Sequence, residues 1–365
     1  MEPGFLRILH IVPGLGQGGA ERVLAELCRQ GGAEHEVLSL TAGAPFFDMR
    51  GAPIATLGLA RGQISVAALR RAAAWVRGRR ADVVQGWLYH GALLASLLPR
   101  GGARLFWAIH NTSLPPGETR FATRLVARGL APLSRLRPER VIYCAEAART
   151  LHEGMGYAPA RGVVVPNGVD LAALAFDAGE RAAFRARLGI AEGVPLVGMA
   201  ARFAPQKDFS NLAAAMAMLP EARLALAGMG CEATNTELRA LLDAHGLAGR
   251  THLLGPLGGM RPFLSALDAL AISSAFGEAL PMIGLEAAAN GAPVAATRVG
   301  EVEALVLDAR HLCPPRAPAA LAAALQAALA LGRGDGPRHA ARAARLRERH
   351  SLPAMLAGYR AVWAA

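Results

Sequence analysis

Short apolar runs alternate with helix-forming segments along almost all of the 365 residues. Each run has the length of a strand that is buried on both faces, and the intervening apolar residues recur at the spacing of a helix. This alternation predicts the α/β class, with parallel sheets covered by helices. The predicted strands are residues 6–12, 35–40, 54–57, 83–85, 105–109, 141–144, 163–165, 195–200, 224–227, 252–254, 269–274 and 294–297.

The length and one interruption predict two domains. A chain of this size is long for one hydrophobic core and comfortable for two. The stretch Val165-Pro-Asn-Gly-Val-Asp170 breaks the alternation, and a polar, alanine-rich segment at 171–179 follows it. Proline and glycine in this arrangement indicate a linker. We therefore expect a first domain over 1–168 and a second over 169–352, with further helices near 319–331, 340–350 and 354–363.

The composition excludes several classes of protein. A hydrophobic content of 53% with 18% charged residues excludes a disordered chain. No apolar run reaches the ~20 residues that span a bilayer, and the N-terminus shows no signal-peptide pattern. The four cysteines, Cys28, Cys144, Cys231 and Cys313, are scattered and form neither a C-x-x-C pair nor a disulfide framework. We expect a cytoplasmic protein with buried thiols.

The net charge of +11 is concentrated in the first half of the chain. Residues 1–170 hold 20 arginines against 12 acidic residues, which leaves +8 there and +3 in the remainder. This asymmetry predicts an anionic partner for the first half. With 5% aromatic residues and no zinc-finger or RNP-like pattern, nucleic acid is not expected. A membrane surface or a lipid phosphate fits better.

A basic amphipathic helix is predicted between Glu118 and Arg140. Its arginines, Arg120, Arg124 and Arg128, recur every four residues, and Phe121, Leu125, Leu130 and Leu133 supply its apolar side. Two interpretations stay open. The helix is either an ordinary solvated surface or a face that binds anionic lipid reversibly, which would make the protein peripheral on the inner face of the membrane.

The stretch from Ser273 to Thr297 predicts a ligand site. It reads as the end of a strand, a loop, a short helix and a second strand, with Glu278 in the loop and Glu286 in the helix. Ligands of open α/β sheets bind at the carboxyl ends of the strands, where this loop must lie. The first amide groups of a helix there would bind an anion.

A second loop predicts phosphate binding. Of the 39 basic residues only Lys207 is a lysine, and it lies five positions after Arg202 in a loop that follows the strand 195–200. Arginine and lysine are not interchangeable where a compact charge meets phosphate oxygens. Two cations across one such loop can bind a single diphosphate.

The spacing from Glu278 to Glu286 resembles the E-x7-E signature of retaining glycosyltransferases of family 4. Nearly the whole chain shares the resemblance, through the loop Gly18-Gly-Ala-Glu-Arg22, His110-Asn111, the linker, the Arg202 and Lys207 loop, and the two acids. It implies the GT-B fold, in which two Rossmann-like domains face each other across a cleft. It also implies a C-terminal helix, at about 353–365, that crosses back to the N-terminal domain.

The resemblance implies a role for each matching residue. Glu278 and His110 would contact the donor sugar, Glu286 the ribose, and Arg202 with Lys207 the diphosphate. His110, Glu278, Arg202 and Lys207 are the expected catalytic set. The other expected donor-binding residues are Gly16, Gly18, Gly19, Leu257, Pro281, Met282 and Ile283. Tyr89, His90 and Asn111 follow predicted strands and are the candidate acceptor contacts, although such residues also serve as structural hydrogen-bond partners.

The implied reaction moves a hexose from a UDP- or GDP-linked donor to an acceptor hydroxyl with retention at the anomeric carbon. The acceptor would be a glycan or a lipid-linked glycan in bacterial surface polysaccharide or glycoconjugate synthesis. No Asp-x-Asp occurs, so neither a metal nor a cofactor is expected, and cationic side chains with backbone amides would neutralise the leaving group. Where the family often has Gly-Phe after the first acid, this chain has Ala279-Leu280.

Two alternatives remain open. Gly14-x-Gly16-x-x-Gly19 satisfies the dinucleotide fingerprint and would suit an NAD(P)-dependent oxidoreductase. That fingerprint also needs an acid near the end of the second strand, and none follows residues 35–40. The other alternative is a non-catalytic nucleotide-sugar-binding module on the same fold, against which the complete set Arg202, Lys207, Glu278 and Glu286 argues.

Overall fold

The structure is a computed structural model that describes residues 6–60, 63, 65–114, 119–334 and 336–365. The chain forms two compact units. The first comprises Met1–Asn167 together with Met355–Ala365, and the second comprises Gly168–Ala354. Glu118, where the predicted basic helix begins, and the first five residues lie outside the described ranges.

The first unit contains a seven-stranded parallel sheet in the order β3-β2-β1-β4-β5-β6-β7. Its strands are β1 (Arg7–Val12), β2 (Glu34–Ser39), β3 (Ile54–Thr56), β4 (Val83–Trp87), β5 (Arg104–Ile109), β6 (Arg140–Tyr143) and β7 (Gly162–Val164). Its helices are α1 (Gly19–Gln30), α2 (Val66–Arg77), α3 (Leu88–Leu97), α4 (Phe121–Leu133) and α5 (Glu146–Gly154). A 3₁₀ turn at Pro159–Arg161 precedes β7.

The second unit contains a six-stranded parallel sheet in the order β10-β9-β8-β11-β12-β13. Its strands are β8 (Leu196–Ala200), β9 (Arg223–Ala227), β10 (Thr251–Gly255), β11 (Ala269–Ile272), β12 (Val294–Thr297) and β13 (Leu312–Cys313). Its helices are α6 (Ala178–Arg187), α7 (Phe209–Ala217), α8 (Thr236–Ala244), α9 (Arg261–Ala266), α10 (Met282–Ala289), α11 (Pro318–Leu331) and α12 (Pro337–Arg349). A last helix, α13 (Leu352–Ala364), begins here and continues in the first unit.

Each sheet has a point where the strand order reverses. In the first unit β1 lies between β2 and β4, and in the second β8 lies between β9 and β11. Connections that leave such neighbouring strands in opposite directions open a crevice at their carboxyl ends. In the second unit the loops that follow β8 and β11 therefore lie side by side. These are the loops that carry Lys207 and Glu278.

Local sequence explains where several helices begin. Ser65, Asp177 and Asn235 precede α2, α6 and α8, and each side chain accepts a hydrogen bond from a backbone amide three residues later. Gly31 and Gly78 end α1 and α2. On the sheet, continuous apolar runs such as β4, which is buried at every residue, supply the core between the helices.

The C-terminal part of α13 packs within the first unit. Trp363 is buried, and its indole N–H donates to Gln85 Oε1 at 2.7 Å. Arg104 Nη1 donates to the Trp363 carbonyl at 2.8 Å. A Cβ on Gly358 would lie 2.8 Å from Val165 Cγ1, so glycine lets the helix approach this residue closely. The first unit is therefore completed by residues from the opposite end of the chain.

The α/β prediction with two parallel sheets is confirmed, and most predicted strands agree within two residues. Strand β13 was not predicted, because its two residues are too few to form a recognisable apolar run. It also placed Phe121 and Leu125 on the apolar side of α4, which is wrong. Both side chains are exposed, and α4 is buried instead at Ala127, Leu130 and Ala131.

Candidate active site

The loop after β8 holds the lone lysine. A 3₁₀ turn spans Pro205–Lys207, and Asp208 then adopts a left-handed backbone with φ of 46°. The Asp208 carboxylate accepts from the Asn211 amide at 3.1 Å and begins α7. The left-handed conformation of Asp208 lets the 3₁₀ turn end and α7 begin on either side of this one residue. Arg202, earlier in the same loop, is exposed and has no side-chain hydrogen bond or ion pair to a described residue.

The loop after β11 holds Glu278, which is buried to 7% exposure. The Lys207 ammonium donates to Glu278 Oε1, and the Ser274 hydroxyl donates to the same oxygen at 2.5 Å. A buried carboxylate needs partners of this kind, because moving an unpaired carboxylate from water into the protein interior would cost several kcal/mol. The sequence separation between Lys207 and Glu278 is closed by the neighbouring strands β8 and β11.

Further hydrogen bonds join these two loops. Ser273 Oγ donates to the carbonyls of Lys207 and Asp208 at 2.8 and 3.0 Å. Gln206 Nε2 donates to the Gly277 carbonyl at 3.1 Å, and the Ala275 amide donates to the Gln206 carbonyl at 2.9 Å. The cation and the acid are thus held by the backbone as well as by their own contact.

Helix α10 follows Glu278 and contains the second acid. Pro281 is buried and precedes the helix, Met282 and Ile283 form its first turn, and both are partly buried. That turn carries no acidic residue, and Pro281 offers no side-chain cap to the first amides. Such a terminus attracts an anion.

Glu286 is only 4% exposed in a helix whose other buried members are glycine, alanine and leucine. A Cβ on Gly284 would meet Leu305 at 2.4 Å and Ile272 at 3.0 Å, so α10 packs closely on the sheet. An ordinary solvated helix position would not bury a carboxylate in this way.

Leu257 lies in the loop after β10. It is partly buried and packs against the hydrophobic core on one side of the sheet. Neighbouring Gly255 has φ of 62°, a conformation that glycine adopts without strain, and Gly258 and Gly259 follow. The loop therefore presents an apolar side chain among glycines at the carboxyl end of a strand.

In the first unit, the glycine loop leads from β1 to α1. Gly16 is exposed, and a Cβ there would meet nothing within 4 Å. Gly18 precedes α1, where a Cβ would come within 2.2 Å of Glu21 Oε2, and Gly19 is the first residue of the helix. The open space at Gly16 leaves the backbone accessible at the carboxyl end of β1.

His110 directly follows β5 and is stacked on Trp87, with ring centroids 5.5 Å apart. Neither ring nitrogen is exposed, and neither has a hydrogen-bond partner among the described residues. Burial lowers the pKa of His110 to about 4, so its imidazole is neutral near pH 7. Two buried, unpaired ring nitrogens at a strand end are costly unless a ligand pairs with them.

The three candidate acceptor contacts differ in accessibility. Tyr89 is 2% exposed and its hydroxyl donates to His152 Nε2 at 2.8 Å, since His152 Nδ1 faces the Ala148 carbonyl. The prediction that Tyr89 contacts the acceptor is therefore not supported, because this side chain belongs to the core. His90 is partly buried, which lowers its pKa, and Asn111 is also partly buried. These two remain candidates.

Among the described residues, one group of histidine and cysteine side chains has the spacing of a metal site. The donor atoms of His10, Cys28 and His35 lie within 4.8 Å of one another. His10 Nδ1 accepts from the Trp87 indole at 3.0 Å, and His10 Nε2 is 2.9 Å from His35 Nδ1. Both nitrogens of His10 thus have protein partners, which fits a buried hydrogen-bonded cluster better than a ligand set.

The sequence predicted site roles for Lys207, Glu278 and Glu286, but it gave no role to the serines and the glutamine that join the loops. Ser273 and Ser274 end an apolar run, and their hydroxyls become informative only once β8 and β11 are known to be neighbours. The Ser274 and Glu278 pair offered one signal, since residues four apart at a strand exit can meet across a tight loop.

Comparison with known proteins agrees with this architecture. The family described as Glycosyltransferase Family 4 matches residues 17–173, and the family described as Glycosyl transferases group 1 matches residues 180–347. In the solved structure of HepE from Anabaena in complex with UDP-glucose, the match covers 99% of this chain and 100% of that one. Its TM-score is 0.82 at 19% identity. That likeness defines the fold as GT-B.

The chain is also similar in sequence to parts of two curated glycosyltransferases. A D-inositol 3-phosphate glycosyltransferase of Geodermatophilus obscurus is 34% identical over 202 residues, which is 51% of this chain and 44% of that protein. The lipopolysaccharide core biosynthesis glycosyltransferase LpsE of Rhizobium meliloti is 39% identical over 114 residues, 31% of this chain and 33% of that one. The match thus spans less than half the length of either relative. The chain belongs to the GT-B glycosyltransferases of family 4.

Proposed function

We propose that the chain transfers a sugar from a nucleoside diphosphate sugar to an acceptor hydroxyl. The observation that carries this proposal is the contact of Lys207 with Glu278 where the strand order of the second sheet reverses. A departing diphosphate needs a cation, and a sugar that develops positive charge at its anomeric carbon needs hydroxyl contacts and a nearby negative charge. Lys207 supplies the positive charge and Glu278 the negative charge.

The donor is a UDP-sugar in this proposal, with a GDP-sugar as the other member of the class. HepE was solved with UDP-glucose, and its fold matches over almost the whole chain. Glu286 holds the ribose, Arg202 and the amides of Met282 and Ile283 bind the diphosphate with Lys207, and Leu257 contacts the base. The burial of Glu286 and the uncapped start of α10 support these roles.

The finer chemistry is retention at the anomeric carbon without a metal ion. Cationic side chains and the α10 amides neutralise the leaving diphosphate. The acceptor attacks the face that the diphosphate leaves, and the phosphate oxygen takes the acceptor proton. The contact between Lys207 and Glu278 supports the metal-free part of this assignment, since it places a cation at the proposed position of the leaving diphosphate.

The acceptor is proposed to be a glycan or a lipid-linked glycan, and the first unit to bind it. Two relatives are named for inositol phosphate and for the lipopolysaccharide core, both of which are hydroxyl-rich. The charge of +8 over residues 1–170 suits an acceptor with a neighbouring phosphate. His110 pairs with a sugar hydroxyl, the glycine loop approaches the donor phosphate, and His90 and Asn111 contact the acceptor.

Helix α4 is proposed to rest on an anionic membrane surface. Phe121 is 74% and Leu125 60% exposed, one turn apart on the helix that carries Arg120, Arg124 and Arg128. Exposed apolar side chains beside cations are the composition of an interfacial helix. No helix within the described ranges has both the length and the apolar composition to cross a bilayer.

Ligand-induced stabilisation tests the proposed function. Thermal unfolding is followed with UDP, GDP, ADP and NAD, each with 1 mM EDTA, and release of the nucleoside diphosphate from the matching sugar donor is then measured. A ligand at 100 times its Kd adds ~2.7 kcal/mol of stability. We expect UDP or GDP to stabilise the protein and the matching donor to turn over. Stabilisation by NAD alone would favour an oxidoreductase, and binding without turnover would favour a non-catalytic module.

A further inference from the structure

Ser274 contacts the acid of the proposed site and has no role assigned so far. Its hydroxyl lies 2.5 Å from Glu278 Oε1, the oxygen that also accepts from the Lys207 ammonium. An ionised carboxylate only accepts hydrogen bonds, so the Ser274 hydroxyl is the donor. Ser274 is 1% exposed and Glu278 is 7% exposed. The carboxylate therefore has one charged and one neutral partner on a single oxygen.

The neutral partner is fixed firmly in the fold. Ser274 follows β11, and its carbonyl accepts from Thr297 Oγ1 at 2.6 Å at the end of the neighbouring strand β12. A Cβ on Gly300 would lie 2.2 Å from the Glu278 carbonyl oxygen, so the backbone at Gly300 packs closely against the backbone at Glu278. By contrast, Lys207 reaches Glu278 through a flexible four-carbon chain.

The two partners respond differently to a diphosphate. Phosphate oxygens compete with the carboxylate for the Lys207 ammonium, because both form charge-assisted hydrogen bonds with it. A serine hydroxyl carries no charge and can stay on the carboxylate when the ammonium turns away. Without that hydroxyl, Glu278 Oε1 would lose a neutral donor and would hold the ammonium more tightly.

We propose that Ser274 is a positioning residue that holds the Glu278 carboxylate while Lys207 turns from it to the diphosphate of the donor. The inference rests on the proposed function of Lys207 and Glu278. The effect of Ser274 therefore depends on Glu278. Removing the Ser274 hydroxyl should weaken diphosphate binding only while residue 278 is an acid.

A double-mutant cycle on nucleotide affinity tests this assignment. UDP and GDP are titrated by calorimetry into wild type, Ser274→Ala, Glu278→Gln and the double variant, all in EDTA. We expect Ser274→Ala to weaken binding of the preferred nucleotide by about 10- to 150-fold, the range of one hydrogen bond to a charged group. In the Glu278→Gln background the same substitution should change Kd less than about twofold, because a neutral amide does not retain the ammonium.

Two variants keep the result interpretable. Ser274→Thr keeps the hydroxyl and should restore most of the affinity, which a loss of fold in Ser274→Ala would not explain. Ser265→Ala removes another fully buried hydroxyl of the same unit, one that bonds to Asn290 and the Asp177 amide, and should leave Kd unchanged. Equal losses in both backgrounds, or no loss in Ser274→Ala, would overturn the inference and leave the proposed function intact. If wild type binds neither nucleotide, the proposed function fails and the inference with it.

Discussion

Lys207 is both the single lysine of the chain and a residue of the proposed phosphate-binding loop. A chain that uses arginine at every other basic position retains one ammonium, and that ammonium contacts a buried glutamate. Several arginines elsewhere bond backbone carbonyls with their planar guanidinium groups. Arg250 bonds to Met216, Leu219 and Ala222, and Arg333 to Leu264, Leu267 and Asn290. A planar group suits several carbonyls at once, whereas a point charge suits a phosphate.

Removing either cation of the loop should slow transfer. We expect Lys207→Ala and Arg202→Ala each to lower kcat/KM by ~10- to 1,000-fold, because each removes positive charge from the leaving diphosphate. Lys207→Arg should also lose activity, since its planar group cannot replace the ammonium against Glu278 and the phosphate. Steady-state release of the nucleoside diphosphate measures the effect. A fully active Lys207→Arg variant would refute the argument from the single lysine.

The two acids should fail differently. Glu286 is proposed to bind the ribose in ground and transition states alike, so Glu286→Gln should mainly raise KM for the donor. Glu278 is proposed to contact the reacting sugar, so Glu278→Gln should mainly lower kcat. Donor-dependence curves for both variants separate the parameters. Opposite effects would exchange the two roles, and unchanged kinetics in both variants would remove this pair of acids from the site.

At the scale of elements, the sequence predicted a site in the loops after β8 and β11 but not the hydrogen bonds that join these loops. Alternating apolar runs revealed most strands, and glycine, proline and the acids marked the loops after β8 and β11. The spacing of apolar runs along the sequence does not reveal which strands become neighbours in the sheet, because that pairing joins residues far apart in the chain. Tyr89 illustrates the same limit, because a polar residue after a strand looks like a ligand until its hydroxyl is found to bond His152 in the core.

Helix α4 shows where an amphipathic pattern misleads. Its large apolar residues Phe121 and Leu125 are exposed, while small residues around Leu130 face the core. A periodic pattern counts apolar residues but does not reveal which of two faces packs on the sheet. The exposed face therefore combines hydrophobic and cationic side chains, which makes the membrane proposal more specific than the sequence did.

Liposome co-sedimentation tests the α4 face. We expect binding to vesicles of phosphatidylcholine with phosphatidylserine at low salt, and none to phosphatidylcholine alone, since each basic residue near an anionic leaflet contributes ~1 kcal/mol. Changing Arg120, Arg124 and Arg128 to Glu should abolish binding, and Phe121→Ser with Leu125→Ser should weaken it. The matched control is Arg345, Arg347 and Arg349→Glu on α12, where the arginines are exposed but the one large apolar residue, Leu346, is buried. Equal loss in that control would indicate attraction by net charge alone.

At the scale of the whole molecule, buried histidines should make the fold sensitive to acid. Burial lowers the pKa of His35 and of His110 to about 4, whereas an exposed imidazole titrates near 6.5. Between these two pKa values the unfolded chain binds more protons than the folded one. The contribution of these histidines to the free energy of unfolding is therefore unchanged above about pH 6.5 and falls as the pH drops towards 4. At pH 5 the expected loss is about 2 kcal/mol for each of the two side chains.

Thermal unfolding between pH 7.5 and pH 5 measures this loss. His110→Gln should reduce the fall in Tm, because a glutamine has no proton to gain, while His339→Gln on α12 serves as a control for the removal of an imidazole. A Tm that stays constant over this range, or an identical fall in His110→Gln, would contradict the assignment of a neutral, buried His110.

The single lysine offers the most direct measurement of the central claim, that a nucleoside diphosphate binds at Lys207 without a metal. Protein grown with ¹³C-lysine gives one side-chain Cε–Hε signal, because Lys207 is the only lysine in the chain. Titration with UDP and with GDP in EDTA should shift that signal saturably for at least one of them, as the ammonium turns from Glu278 to phosphate. NAD and free glucose should leave it in place. A signal that neither nucleoside diphosphate moves, with or without added Mg²⁺, would contradict the account; a shift that appears only with Mg²⁺ would contradict its metal-free part.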